Sequence, residues 1–180
     1  MKYILVLTVT FFAQFSVGGT IVLVETNKGN FEIELNDEKA PVSSENFLKY
    51  VDSGFYNGTI FHRAVKNFVV QAGGLTSDMQ EKETLAPIPS EAKNGLSNLK
   101  GTLGMARTAD INSATSQFYV NTKDNTGLDY SSTKAGYTVF GKVISGYEVI
   151  EVIENSPVHS VDGYDDVPQE AIVIESMKRK

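Results

Sequence analysis

The sequence predicts a mainly β domain, folded as an antiparallel barrel or sandwich, with the barrel preferred. Three observations carry this reading. The 180-residue chain holds many short apolar or alternating runs separated by turn residues. Only two stretches past the N-terminus repeat their apolar residues at helical spacing. Nothing shows the strand–helix–strand rhythm that builds parallel sheets.

Taken in order, Ile21-Val22-Leu23-Val24 reads as a buried strand. Asn27-Lys28-Gly29-Asn30 is a turn, and Phe31-Glu32-Ile33-Glu34-Leu35 alternates apolar with polar residues, so the two runs form a hairpin with one wet face. Pro41 sits where a first helical turn tolerates its missing N–H. Phe47, Leu48 and Val51 follow at helical spacing, and Gly54 stops the helix. Short strands are expected at 60–65, 68–72, 102–107, 117–120 and 138–144. After Gly146, residues 147–153 are helical in pattern, and 171–177 closes the chain as an alternating strand. Pairing of the first hairpin with this last strand would close a barrel and leave no sheet edge exposed.

Composition narrows the function. A hydrophobic fraction of 41% and a charged fraction of 21% are those of an ordinary globular protein. No repeat or linker divides the chain into two domains. The formal charge of −6 argues against a nucleic-acid partner, and the Lys178-Arg179-Lys180 tail reads as solvated charge. Without cysteine there is no disulfide, thiolate nucleophile or Cys-based zinc site. With only two histidines a His-based metal site is not expected either. No nucleophile elbow, P-loop or dinucleotide fingerprint is present. His62 reads as a partly buried histidine bonded to backbone rather than as a triad member.

The N-terminus has its own pattern. Lys2 supplies a positive start, Tyr3 to Phe12 is apolar apart from Thr8 and Thr10, and Ser16-Val17-Gly18 offers small residues. The apolar run is shorter than the roughly 20 residues that span a bilayer. The expectation is a signal peptide at 1–18, cut near Gly18 or Gly19, leaving a domain at 19–180 with no membrane span. A buried first strand is the alternative. Export follows, to the periplasm if the host is Gram-negative.

The chemistry concentrates in three blocks. In Phe61-His62-Arg63-Ala64-Val65-Lys66-Asn67-Phe68-Val69-Val70-Gln71-Ala72-Gly73-Gly74, two strands with a bend at Lys66-Asn67 would place Arg63 and Gln71 among apolar neighbours. Such an arginine is either a paired structural charge or a functional one, and the local pattern alone favours the structural reading. Gly104-Met105-Ala106-Arg107 precedes Ser116-Gln117-Phe118-Tyr119-Val120, and Gly136-Tyr137-Thr138-Val139-Phe140-Gly141-Lys142-Val143 follows.

These blocks, in this order and spacing, resemble the signature of the cyclophilin-type peptidyl-prolyl cis-trans isomerases, over residues 21–177. Met105-Ala106-Arg107-Thr108-Ala109-Asp110, Ser113-Ala114-Thr115-Ser116-Gln117 and the loop at 155–168 resemble the exported bacterial branch. The resemblance implies a closed eight-stranded antiparallel barrel capped by two α-helices. It implies rotation about X–Pro peptide bonds, with no cofactor, no metal and no covalent intermediate. The implied substrates are proline-containing unfolded or flexible polypeptides, handled by a monomer that assists the folding of exported proteins. The alternative is a proline-peptide binding module or chaperone with little catalysis. Carried over by position, Arg63 is the catalytic arginine. Phe68, Val69, Tyr119 and Leu128 form the proline pocket, while Gln71, Ala106, Arg107 and Gln117 line the peptide groove. Tyr137 falls at a substrate-binding position that is histidine in many eukaryotic members and tyrosine in many bacterial ones.

The residue types suit that reaction. Resonance gives the peptide C–N bond a rotation barrier of roughly 18–20 kcal/mol, and preferential binding of the twisted state lowers it. Twisting restores the lone pair on the proline nitrogen. A permanently charged guanidinium can donate to that nitrogen or to the adjacent carbonyl, and both contacts weaken conjugation. A positioned donor of this kind contributes about 3–4 kcal/mol.

Four positions depart from the family pattern. Tyr119 stands where phenylalanine usually floors the pocket, so its hydroxyl needs a partner or a wet rim. Val69 replaces a common methionine, Ala72 interrupts a Gly-Gly pair after Gln71, and Gly127 occupies the place of a groove aromatic. Weak binding of cyclosporin-type inhibitors is therefore expected, unless Tyr130 from the neighbouring loop supplies a ring in its place.

Overall fold

The computed structural model describes residues 18–180. The signal-peptide reading of 1–18 falls, but for Gly18, outside the described residues. Strands β1 (Ile21–Thr26) and β2 (Gly29–Leu35) form the first hairpin. Thr26 Oγ1 closes it by donating to the Gly29 carbonyl (2.6 Å) and accepting from the Lys28 amide (3.1 Å). The hairpin was expected, but β1 is not buried on both faces. Val22 and Val24 point inward, while Ile21 and Leu23 lie half-buried on the outside.

Next come α1 (Pro41–Asp52), β3 (Thr59–Val65), β4 (Val69–Thr76), β5 (Thr102–Met105), β6 (Phe118–Asn121), a 3-10 turn (Thr126–Leu128) and β7 (Val139–Ser145). The chain ends with α2 (Tyr147–Glu154), β8 (Val158–Val161), β9 (Tyr164–Pro168) and β10 (Ile174–Arg179). Eight strands pair antiparallel in the order β10-β1-β2-β7-β5-β6-β4-β3. The two edges meet where Gly58 N donates to Ile174 O (2.8 Å) and Phe61 N to Ile172 O (2.9 Å). The result is a nearly closed barrel with two helices, as the sequence led one to expect.

The last strand starts later than its alternating pattern suggests. Thr26 pairs with Ile174 and Glu25 with Ser176, so Glu175 is an extra residue. This bulge resets the alternation: Ile172 and Ile174 point inward before it, and Met177 after it. A larger difference is at 155–168, expected as a loop, where β8 and β9 form a hairpin of their own. Its turn is Asp162-Gly163, both with positive φ (52° and 84°), the backbone that two-residue hairpins require. β8 is almost wholly exposed, so no buried face marked the strand in the sequence.

Inside the barrel, Phe47 of α1 is fully buried, its ring 5.1 Å from Tyr56 and 5.4 Å from both Phe118 and Phe140. Burying a side chain of this size contributes about 1.5–3 kcal/mol. The start of α1 is held from outside. Pro41 has no N–H to satisfy, and Ser44 N bonds to Ala40 O. The remaining donors, Val42 N and Ser43 N, both reach the Glu91 carboxylate (3.0 and 2.8 Å), as does Ser43 Oγ (2.6 Å). Glu91 N in turn bonds to Thr138 Oγ1 (2.9 Å), so one carboxylate ties the 77–101 connection to helix and barrel together. It stands where a helix N-terminus favours negative charge. Glu91→Ala should therefore cost about 1–2 kcal/mol, seen as a thermal midpoint lower by roughly 2–8 °C. An unchanged midpoint would show that water replaces the carboxylate without loss.

Candidate active site

The site begins as a row of cross-strand neighbours on the outer face of the sheet. Arg63 on β3 lies opposite Gln71 on β4, Gln71 opposite Tyr119 on β6, and Tyr119 opposite Gly104 on β5. The adjacent row, Ala64, Val70, Val120 and Leu103, points into the core. A bulge sets this arrangement. Phe61 pairs with Ala72 and Arg63 with Gln71, leaving His62 as the extra residue on β3. Without it, Phe61 and Arg63, two apart, would share a face. With it, Phe61 enters the core and Arg63 leaves it. The simple alternation expected for this segment is corrected accordingly.

Arg63 is half-buried, its guanidinium carbon 6.0 Å from the centre of the Phe68 ring. Among the described residues it forms no ion pair. This speaks against a structural charge held by a carboxylate, the reading that the local pattern favoured. The side chains of Arg63, Phe68, Val69, Gln71, Tyr119 and Leu128 enclose a cavity of about 180 Å³, with Ala106, Arg107 and Tyr137 completing its lining. Every residue inferred from the sequence but one is thus brought together. The exception, Gln117, stands beside the cavity and accepts from Gln71 Nε2 (2.9 Å). It lies flat on Gly74, where a Cβ would come within 2.6 Å of its side chain.

Arg107 plays a more tethered part than a free groove residue would. It donates through Nη2 to Gly136 O (2.8 Å) and through Nη1 to Thr108 O (2.9 Å), and its guanidinium stacks 4.3 Å above the Tyr137 ring. Tyr137 meets Tyr119 edge to face at 6.2 Å. Each departure from the family pattern also finds its place. Ala72 is fully buried between Phe61 and Phe118, while the positive φ (90°) falls on Gly73, so alanine brings no backbone strain. A Cβ on Gly127 would meet nothing within 4 Å among the described residues, so the place of the groove aromatic is left unfilled. Tyr130 does not fill it, being drawn instead to the Lys93 ammonium, 5.1 Å from its ring.

Tyr119 is almost fully buried and donates to Asn98 Oδ1 (2.6 Å). Burial, reinforced by Tyr137 and Asp129 and opposed by Arg107, pushes the phenol far above its ordinary range, so it stays a neutral donor. Asn98 was not foreseen. The only sign of it in the sequence was the need of a buried tyrosine for a partner. Another hollow, of about 230 Å³, lies between β2, β7 and the 96–102 segment, but its cation, Lys142, is tied to Glu34 (3.0 Å).

The lining of the Arg63 cavity contains no serine, histidine or carboxylate. What it offers is an apolar cup, amide groups and an unpaired cation. On the outer wall of a barrel of this topology, that combination defines a peptide-binding protein of the cyclophilin class. The comparisons agree: residues 21–179 match the family model described as cyclophilin type peptidyl-prolyl cis-trans isomerase/CLD, and the chain belongs to that family. It is similar to peptidyl-prolyl cis-trans isomerase A of Dickeya dadantii, 53% identical over 88% of this chain and 84% of that one. A peptidyl-prolyl cis-trans isomerase of Acinetobacter baylyi is 50% identical over 92% and 88% of the two chains. Among solved structures, a cyclophilin type peptidyl-prolyl cis-trans isomerase of Cryptosporidium parvum superposes with a TM-score of 0.75 at 27% identity, covering 89% of this chain and 97% of its own.

The bulge that frees Arg63 buries His62, whose ring meets Tyr164 of β9 edge-on at 6.4 Å and whose Nδ1 has no partner among the described residues. Burial lowers its pKa to about 4, and the Arg63 charge adds to this, while hydrogen bonds to Ile60 and Gln117 oppose it. In the unfolded chain the value is near 6.5. Between these limits the unfolded state binds a proton that the folded state refuses. Stability complete above pH 6.5 is therefore lost as pH falls towards 4, by about 3 kcal/mol in all. Denaturant titrations at pH 7 and pH 4.5 should show a steeper loss in wild type than in His62→Gln. Equal losses would mean that the imidazole is protonated in the folded state.

Proposed function

We propose that this isomerase acts on unfolded or flexible proline-containing chains exported from the cytoplasm, as a monomer, with Arg63 as its catalytic group. The observation that carries the catalytic assignment is the half-buried guanidinium, without an ion pair among the described residues, at the rim of an apolar cup. Phe68, Val69, Tyr119 and Leu128 hold the pyrrolidine ring. Gln71 has its amide nitrogen committed to Gln117, which leaves its carbonyl oxygen to accept from a substrate N–H. With the ring fixed, the acyl side rotates, and Arg63 donates to the proline nitrogen as its lone pair returns. The contact is strong only in the twisted state, so it lowers the barrier instead of merely tightening binding. No bond is made, and no proton changes owner.

Arg63→Ala should reduce kcat/KM by about 10²–10³ while leaving the fold intact. Arg63→Lys should recover little, because a point charge cannot reproduce the planar fork. NMR exchange on a proline peptide measures both variants. Near-normal turnover by Arg63→Ala would remove the arginine from the mechanism. Wild type that binds proline peptides without turning them over would favour the binding-module alternative.

Export rests on Lys2, the apolar run from Tyr3 and the small residues at Ser16 and Gly18. The contacts of the barrel support a cut at that point. Thr20 N and Oγ1 both donate to Asp37 Oδ2 (2.8 Å each), and Leu35 N donates to Thr20 O (2.9 Å). A chain beginning at Gly19 keeps all three bonds. Among the described residues no helix is long and apolar enough to cross a membrane. Mass spectrometry of protein from the native host should find an N-terminus near Gly19, and retention of Met1 would overturn the localisation. Sedimentation of the same material tests the monomer.

A further inference from the structure

We propose that Asn98 is the positioning residue of the proline pocket, and that the Tyr119 hydroxyl acts on catalysis only through it. The inference rests on the isomerase reading above. Asn98 is fully buried in the connection before β5, and each of its four polar groups has a partner. Its Oδ1 accepts from Tyr119 Oη (2.6 Å) and from Asn121 Nδ2 (3.2 Å). Its Nδ2 and its backbone N both donate to Asp129 Oδ1 (2.9 and 2.7 Å). Its carbonyl accepts from Asn125 N (2.7 Å).

Asn125 and Asp129 are the residues that bracket the 3-10 turn Thr126–Leu128. Asn98 therefore grips both ends of the turn that carries Leu128, one wall of the cup. It also holds the floor, Tyr119, by the far end of its ring. A second wall follows at one remove, because Asn125 Nδ2 donates to Phe68 O (2.8 Å). One buried amide thus fixes the floor and the Leu128 wall together, and Asn125 links the Phe68 wall to them.

Gly104 completes the device. A Cβ there would lie 2.2 Å from Tyr119 Cζ and 2.3 Å from Oη, so the ring occupies the space that a β5 side chain would fill. Tyr119 is pressed against bare backbone and pinned at its hydroxyl. A phenylalanine ring could rest on the same glycine but would lack the pin. The pyrrolidine must stay still while the rest of the substrate turns, so a loose floor harms the twisted state more than the ground state. Loss of the pin should lower kcat more than it raises KM.

The test is an exchange-NMR measurement of kcat and KM on a proline peptide for wild type, Tyr119→Phe, Asn98→Ala and the double variant, well below their unfolding midpoints. Tyr119→Phe should lower kcat by about 3- to 10-fold and Asn98→Ala by about 10-fold or more, with KM within about twofold. The double variant should match Asn98→Ala alone. If Tyr119→Phe costs the same factor in both backgrounds, the hydroxyl touches substrate directly and the proposal fails. Lower midpoints with wild-type kcat and KM would make Asn98 a residue of the fold only, and the proposal also fails. Should Asn98→Ala not fold, Gly104→Ala gives a second route. It should reduce kcat more in wild type, where the ring is pinned, than in Tyr119→Phe, where the ring can shift, and equal losses contradict the pin. Absence of turnover in wild type would instead strike the isomerase reading itself.

Discussion

The register of β3 against β4 is the constraint on which the rest depends. One extra residue, His62, divides the strand into a half that feeds the core through Phe61 and a half that presents Arg63 outward. Side-chain period in a strand is two, so a slip of one residue exchanges the faces. The bulge makes that exchange within a single strand. It turns Phe61 into the core and gives the outer face its cation, at the expense of a buried imidazole whose Nδ1 has no partner among the described residues. The β8–β9 hairpin packs against β3 and sets Tyr164 over that imidazole.

Around this register, satisfied polar groups hold the irregular parts in place. Regular strands meet their hydrogen-bonding needs with one another, but the 77–101 connection and the turn at Thr126–Leu128 cannot. Glu91 supplies acceptors for the start of α1, and Asn98 links the turn to the sheet. Both are single side chains in long connections, and both join segments far apart in sequence. Of the two, Asn98 reaches the groove, through Tyr119 and the turn, while at Gly127 no side chain stands.

Much of this was legible in the sequence. Apolar periodicity located the strands and both helices, and the order of the motif blocks located the residues of the cup. What could not be read is instructive. Bulges at His62 and Glu175 leave no mark in composition, because either residue could sit in a regular strand. The β8–β9 hairpin did carry a turn signal in Asp162-Gly163, but only Val167 and Pro168 of its two strands are buried, so no alternating apolar face drew attention to it. Asn98 and Glu91 act through tertiary hydrogen bonds, which have no sequence period. Arg63 is the sharpest case. An arginine among apolar residues is usually paired, and only the structure shows that Arg63 forms no ion pair among the described residues.

The barrel's seam has a consequence for how the chain is assembled. β1 lies between β2, its immediate neighbour in sequence, and β10, the last strand. Lys180 N still donates to Ile21 O (2.9 Å), so the pairing of β10 with the first strand runs on past Arg179. A chain delivered N-terminus first can make its β1–β2 hairpin early, but one edge of that hairpin waits until β10, about 150 residues later, is available. Contacts of such long sequence separation form late and slowly. Until then β1 exposes an unpaired edge, and the strands on the far side of the seam have nothing to close against. The cylinder is therefore the joint product of strands far apart in sequence, and loss of β10 would leave it unsealed.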